Sequence, residues 1–276
     1  MSLGVAIVTH RNGATIEACL RALSNASAVT AIRVVDNASD DETVNLLSRL
    51  ASKDPRVRFI ANEDNIGFGR GVNQAVAAMP STEQLLILNP DCELSADELA
   101  TLCSHLDGDM VLGAELVDAE GHVDPASRRN DLRFWPLLRS RFGLSSYSPY
   151  VARDRSAVQA VEAISGAVML MPRSLFKALQ GFDESYRLHV EDLDLCRRAR
   201  QLGALVAVCN DVQVLHVRGV SSRRRPFFVE WNKHRGMLRY FGAEEARNLH
   251  VLQRFAVYAM IWLRLPLMVL RAVLKS

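Results

Sequence analysis

At 276 residues, 49% hydrophobic and 23% charged, the chain is long enough for one large or two small domains, and its composition excludes a disordered polymer. Its net charge of +2 conceals an asymmetry: from Val217 onward twelve Lys/Arg face three Glu, so a tail of +9 follows a body of −7. Five scattered cysteines with no C-x-x-C pair exclude a disulfide framework and a zinc knuckle and read as reduced cytosolic thiols, and no secretory leader is expected.

The first 115 residues alternate short β-branched runs with helical patterns. Strands are predicted at Val5–Thr9, Ile32–Asp36, Val57–Ala61, Gln84–Leu88 and Met110–Gly113. Helices are predicted between them at Thr15–Leu23, Glu42–Ala51, Gly69–Ala78 and Ala96–Leu106, the last with Ser95 as N-cap and Glu98 completing a capping box. Continuous apolar strands separated by helices imply an α/β fold with a parallel sheet covered on both faces. Residues 116–160 are polar and rich in turn signals, including Arg128-Arg129-Asn130, and read as an irregular excursion over a site. A strand follows at Ala163–Met171, then helices at Arg173–Ala178 and Asp192–Leu202, then strands at Ala204–Cys209 and Val212–Val217.

The last stretch, Phe255 to Leu274, is apolar but broken by Arg264 and Arg271, and its longest uncharged run ends at Leu263. That is short of the roughly 18 apolar residues of a spanning helix. Arg264, Arg271 and Lys275 fall within about 40° on a helical wheel, and a basic stripe on an apolar helix is the pattern of an interfacial membrane anchor. Pro266 is expected to kink it. The alternative use of the same helix is packing on the body or in a homodimer. The basic tail also suits lipid head groups or phosphates better than nucleic acid, which is not expected as a partner.

Ligands of open α/β sheets sit at the carboxyl ends of the strands. Those ends carry Thr9-His10-Arg11-Asn12, Asp36-Asn37-Ala38-Ser39, Asn65-Ile66-Gly67-Phe68-Gly69-Arg70 with Asn73, and Asn89-Pro90-Asp91. Taken alone, Asp36 serves equally as a helix cap or a ligand group. The glycines near Gly67 open a helix where phosphate or ribose could bind, yet they form neither a Walker A loop nor a dinucleotide fingerprint. A further acidic group, Gly181-Phe182-Asp183-Glu184 and Glu191-Asp192-Leu193-Asp194, exceeds what one helix dipole asks for. His216 closes a strand before Arg218-Gly219-Val220-Ser221. An NAD-dependent oxidoreductase is excluded by Thr9-His10-Arg11-Asn12 where a glycine-rich turn is needed, and a nucleotidyltransferase by the missing N-terminal Gly/Arg/Lys signature. A non-enzymatic sugar-nucleotide or membrane-binding protein would have no use for Asp91, Asp192 and His216 together.

In this order the motifs resemble family-2 inverting glycosyltransferases with a GT-A fold, and among them the bacterial rhamnosyltransferases. The matching stretches, which also include Ser165-Gly166-Ala167, run from Val5 to about Ser222. The resemblance implies a Rossmann-like nucleotide-binding half with a mixed central sheet. Residues 1–222 would form the catalytic domain, with a nucleotide-sugar half at 1–115 and an acceptor half at 116–222. A basic, amphipathic helical segment would fill 223–276. Asp36 would bind the base or ribose, with Thr9, Asn12, Asn65, Gly67, Arg70, Asn73, Asn89 and Ser221 completing the donor site.

Asp91, last of an Asp-x-Asp motif whose first position is Asn89 here, would hold a divalent cation, Mg²⁺ or Mn²⁺, on the donor diphosphate. His216 would complete that shell or touch the diphosphate. Asp192 would be the general base, with Glu191 its neighbour. The resemblance further implies L-rhamnose as the sugar, dTDP-L-rhamnose as the donor, with another nucleotide sugar such as a UDP-hexose as the alternative, and a saccharide hydroxyl of a lipid-linked cell-surface glycan precursor, such as an O-antigen, as the acceptor. The enzyme would then work as a peripheral protein on the inner face of the bacterial cytoplasmic membrane.

Overall fold

The computed structural model describes residues 2–217 and 226–273. Its elements in chain order are β1 (Leu3–Thr9), α1 (Ile16–Ala22), β2 (Val29–Asn37), α2 (Thr43–Lys53), β3 (Val57–Asn62), α3 (Phe68–Ala77), β4 (Gln84–Leu88), β5 (Cys92–Glu93), α4 (Ala96–Ser104) and β6 (Met110–Val117). They continue with α5 (Phe134–Ser140), β7 (Val158–Ala160), β8 (Val168–Pro172), α6 (Arg173–Ala178), α7 (Glu191–Gln201), β9 (Leu205–His216), α8 (Pro226–Ala243) and α9 (Val251–Val273).

The sheet runs β3-β2-β1-β4-β8-β6-β9-β5, with β7 added on β9. β1 to β4 pair in parallel, as uninterrupted apolar runs require when both faces are covered. Successive side chains of β1 feed opposite faces. Val5 and Ile7 join Leu20, Leu47 and Leu99 of α1, α2 and α4, whereas Ala6 and Val8 join Val72, Phe176, Leu195, Phe241 and Ile261. The register sets Thr9 opposite Asp36 and Asn37 opposite Asn62, which levels the strand ends into one edge.

Beyond β4 the sheet becomes mixed. β8 lies antiparallel to β4, with Leu88 opposite Val168, and β6 pairs in parallel with β9. The strand expected at Ala163–Met171 begins only at Val168, because Ser165-Gly166-Ala167 forms a turn against the β4 end. The two strands expected after Ala204 are one strand, β9, whose register slips past a bulge between the partners Ala114 and Glu115. β5 is only two residues long, but it sets Cys92 opposite His216. The capping box at Ser95 is formed: Glu98 N–H donates to Ser95 Oγ at 3.3 Å and Ser95 N–H to Glu98 Oε2 at 2.8 Å.

The excursion at 116–160 holds a helix the sequence did not announce, α5. Its N-terminal amides, those of Phe134 and Trp135, donate to the Glu245 carboxylate at 2.7 Å each. The boundary expected at 222 lies outside the described residues. Past it, Tyr240, Phe241, Val257 and Ile261 are buried in the same core as Val8 and Val35, so α8 and α9 pack on the body. α9 is nonetheless long and apolar enough by length and composition to cross a membrane, contrary to the expectation drawn from its short uncharged run, and it continues through Pro266. Among the described residues no cysteine is disulfide-bonded.

Candidate active site

The candidate nucleotide edge is held together by hydrogen bonds among its own residues. Asp36, almost fully buried, accepts from Ser39 N–H at 2.9 Å and from the Ser39 hydroxyl at 2.5 Å, closing the turn after β2. It does not cap the following helix, whose N-cap is Glu42. Ser39 Oγ in turn accepts from Arg11 N–H at 2.7 Å, locking the β1 turn onto the β2 turn. Asn12 accepts from the Thr9 hydroxyl at 3.1 Å and from His10 N–H at 3.0 Å, while its buried Nδ2 has no partner. A buried amide without an acceptor is costly, so this nitrogen is suited to donate to a ligand.

Gly67 sits at the N-cap of α3 with φ of 94°, and a Cβ there would lie 2.6 Å from the Arg187 carbonyl. Only glycine tolerates both the conformation and the contact. The Asn65 side chain accepts from Gly67 N–H at 3.0 Å, and Asn37 Nδ2 donates to the Gly67 carbonyl at 3.0 Å. Arg70 and Asn73 turn toward the loop after α6. Asn73 exchanges hydrogen bonds with the Phe182 backbone at 2.9 and 3.0 Å, and Arg70 pairs with Glu184 at 2.9 Å. The glycine loop is thus fastened to the segment that leads into α7.

At the end of β4, Asn89 N–H donates to the Ala167 carbonyl at 2.8 Å and its own carbonyl accepts from Cys92 N–H at 3.2 Å. This turn brings Asp91 Oδ1 to 3.3 Å from His216 Nε2, both side chains 12% exposed. Neither Asp91 Oδ1 nor His216 Nδ1 has a hydrogen bond, although both are buried. Asp91, Cys92 and His216 can present one ligand atom each within 4.8 Å of one another. A carboxylate oxygen and an imidazole nitrogen with unfilled valences fit a divalent cation that keeps open positions for an anionic substrate. Cys92, which sequence reading did not single out, enters only because β5 pairs with β9.

The acidic pair opens α7. His189 and Val190 before it both have left-handed backbone, φ of 65° and 74°. For a β-branched residue such as Val190 that conformation is strained, by roughly 1–3 kcal/mol. α8 comes close to this turn through Gly236, where a Cβ would meet the His189 carbonyl at 3.2 Å and Val190 at 3.4 Å. The result aims Glu191 inward and Asp192 at the rim. Glu191 is buried with Oε2 unpartnered, and burial, then the Asp192 charge, push its pKa up to about 8.

Asp192 Oδ2 accepts from Arg129 at 2.6 Å and from Gly166 N–H at 3.2 Å, and Oδ1 accepts from Leu193 N–H at 2.8 Å. Burial alone would raise its pKa. The Arg129 charge and these hydrogen bonds outweigh burial and hold the carboxyl below its usual range. Since Gly166 and Ala167 reach Asp192 and Asn89 respectively, one short turn ties the base candidate to the cation candidate. Arg129 sits in the stretch read only as polar excursion; nothing local marks it. Ser221 lies outside the described residues.

Residues 4–179 match the family described as glycosyl transferase family 2. An N-acetylglucosaminyl-diphospho-decaprenol L-rhamnosyltransferase of Mycobacterium tuberculosis is 27% identical over 254 residues, covering 81% of this chain and 78% of that protein. Among solved structures, mannosyltransferase PcManGT from Pyrobaculum calidifontis, in complex with GDP-Man and Mn²⁺, aligns with a TM-score of 0.60 at 16% identity, over 98% of this chain and 72% of that one. GalNAc-T7 with UDP, GalNAc and Mn²⁺ aligns with a TM-score of 0.62 at 15% identity over 79% of this chain, which spans only 43% of its length. The mixed sheet is that of GT-A glycosyltransferases, and the chain belongs to glycosyl transferase family 2 as a glycosyltransferase enzyme.

Proposed function

We propose that this glycosyltransferase moves L-rhamnose, with inversion, from dTDP-L-rhamnose to a saccharide hydroxyl of a polyprenyl-diphosphate-linked glycan precursor. The observation that carries the chemistry is the linkage of two unlike carboxylates through one turn. Asp91 is left with an unfilled oxygen beside His216, and Asp192 is held ionised at the rim of α7. Asp192 takes the acceptor hydroxyl proton as its oxygen attacks the anomeric carbon, and the bond from that carbon to the diphosphate breaks. Glu191, protonated at neutral pH, leaves Asp192 the charged member of the pair. Asp91 and His216 would hold a divalent cation, Mg²⁺ or Mn²⁺, which when bound neutralises charge on the leaving diphosphate.

The rhamnosyl donor and the lipid-linked acceptor are supported by the mycobacterial relative's name and by the Asn89-Pro90-Asp91 motif. A place on the inner face of the cytoplasmic membrane is supported by α9, on which Leu252, Phe255 and Leu263 are 71–74% exposed, and by the Trp231–Trp262 contact at 5.2 Å. Tryptophan with exposed apolar residues and arginine is the composition of an interfacial helix. The test is a panel of nucleotide sugars scored by protection against thermal unfolding, with and without EDTA, followed by transfer to a short-chain prenyl diphosphate N-acetylglucosamine. Metal-dependent protection by dTDP-L-rhamnose is expected. Protection by a UDP-hexose and none by dTDP-L-rhamnose overturns the donor assignment.

A further inference from the structure

Arg128 and Arg129 are neighbours in an extended segment, so their side chains leave on opposite sides. Arg128 goes into the protein and pairs with the fully buried Glu115 at 2.7 Å. Arg129 goes to the rim of the site. Its backbone is fixed by paired hydrogen bonds with Ala163, both 2.9 Å, and by a bridge to Tyr150. Its guanidinium donates to the Ile164 carbonyl and to Asp192 Oδ2, the latter at 2.6 Å, with both side chains under 20% exposed. An arginine this constrained costs little further ordering and delivers its charge at a set point.

We propose that Arg129 is the positioning residue for the base of this enzyme. From the excursion after β6 it grips Oδ2 of Asp192, so that the acceptor hydroxyl meets Oδ1, which accepts one hydrogen bond from Leu193 N–H. This rests on the reading of Asp192 as the base. The groups that face Asp192 are Arg129 and the Gly166 amide from the excursion side, Tyr150 through Arg129, and Glu191, His189 and Cys196 from the turn and body of α7. Arg129 is the cation hydrogen-bonded to the carboxylate, and together with the Leu193 and Gly166 amides it outweighs the burial that favours the neutral acid. The excursion therefore contributes to the catalytic machinery through Arg129.

The experiment compares pH profiles of transfer to the short-chain prenyl diphosphate N-acetylglucosamine for wild type, Arg129→Met and Arg129→Lys. A base is lost as pH falls through its pKa, and arginine keeps that pKa low. Removing the charge should move the acid limb of kcat/KM upward by about 1–3 pH units. Arg129→Met should lose kcat progressively below its shifted limb and recover much of it by pH 8, with nucleotide-sugar protection unchanged. Arg129→Lys should keep the limb near wild type, since it keeps the charge, but lose several-fold in kcat at all pH values, since its shorter reach does not hold Asp192 Oδ2 and the Ile164 carbonyl at once. Where Arg129→Met does not fold, the Lys variant and guanidinium rescue of Arg129→Ala carry the test. A folded Arg129→Met whose limb stays within a few tenths of a unit of wild type overturns the proposal, as does a loss equal at every pH. An active Asp192→Asn removes the underlying reading instead. An inactive Asp192→Asn beside an unmoved Arg129→Met limb removes this inference alone.

Discussion

In β1 and β4 every side chain is buried, and their apolar residues are divided between the two faces of the sheet. Among the described side chains of α9 only Val257 and Ile261 of the large aliphatics are buried, while Val251, Leu252, Leu263, Leu267 and Leu270 are 56–74% exposed. Both regions are apolar for different reasons. The first builds the edge that carries the candidate donor residues. The second packs one face on α8 and α5 and leaves the other exposed.

The sharpest way to break this comparison is at the two carboxylates. Asp192→Asn should lose roughly 10²–10⁴-fold in transfer while keeping thermal protection by donor. Asp91→Ala should lose both, and added Mn²⁺ should not restore either. If EDTA leaves transfer at its full rate, the assignment at Asp91 and His216 fails.

Next in size is the inner face of the tail. Phe241 is fully buried and meets Phe134 and Tyr258 edge-on at 5.6 and 5.4 Å. Phe241→Ala should cost about 3–5 kcal/mol in a denaturant titration. A loss below 1 kcal/mol would mean that α8 and α9 are an appendage after all.

The outer face is probed by Leu252→Glu, Leu263→Glu and Leu270→Glu combined. Sedimentation with anionic vesicles should fall several-fold, with the melting temperature and transfer to a soluble acceptor kept. A truncation after Arg254 would be a poorer test, since it also removes the buried Val257 and Ile261. Unchanged sedimentation of the triple variant would point to a dimer face instead.

The last prediction concerns Glu191. It stays neutral in the fold up to about pH 8 but ionises near 4.5 once unfolded. Unfolding releases a proton across that window, so stability falls as pH rises from 4.5 to 8. Glu191→Gln should flatten the dependence of melting temperature on pH there; an unchanged slope rules out a buried, neutral Glu191.

Legibility in the sequence follows the range of the interactions. β1 to β4 and the Ser95 capping box were readable because burial pattern and cap chemistry lie within a few residues of each other. α5 was not, because its N-terminal amides are satisfied by Glu245, 110 and 111 residues away. β5 and β7 are too short to show a period, and they exist because β9 offers partners. Of the site, Asp91, His216 and the Glu191-Asp192 pair were marked by their places at strand and helix ends. The roles of Arg70 and Asn73 as ties to the Gly181–Glu184 turn were not, and neither was the reach of Arg129 across 63 positions to Asp192.

The Glu245 cap also orders events in time. During vectorial synthesis the parallel strands emerge first and can pair as they appear. Until Glu245 leaves the ribosome, the amides of Phe134 and Trp135 lack their acceptor, and until Phe241 arrives the Phe134 ring lacks its wall. The nascent chain therefore carries paired parallel strands beside an uncapped α5, and this packing is complete only when its last helices are made.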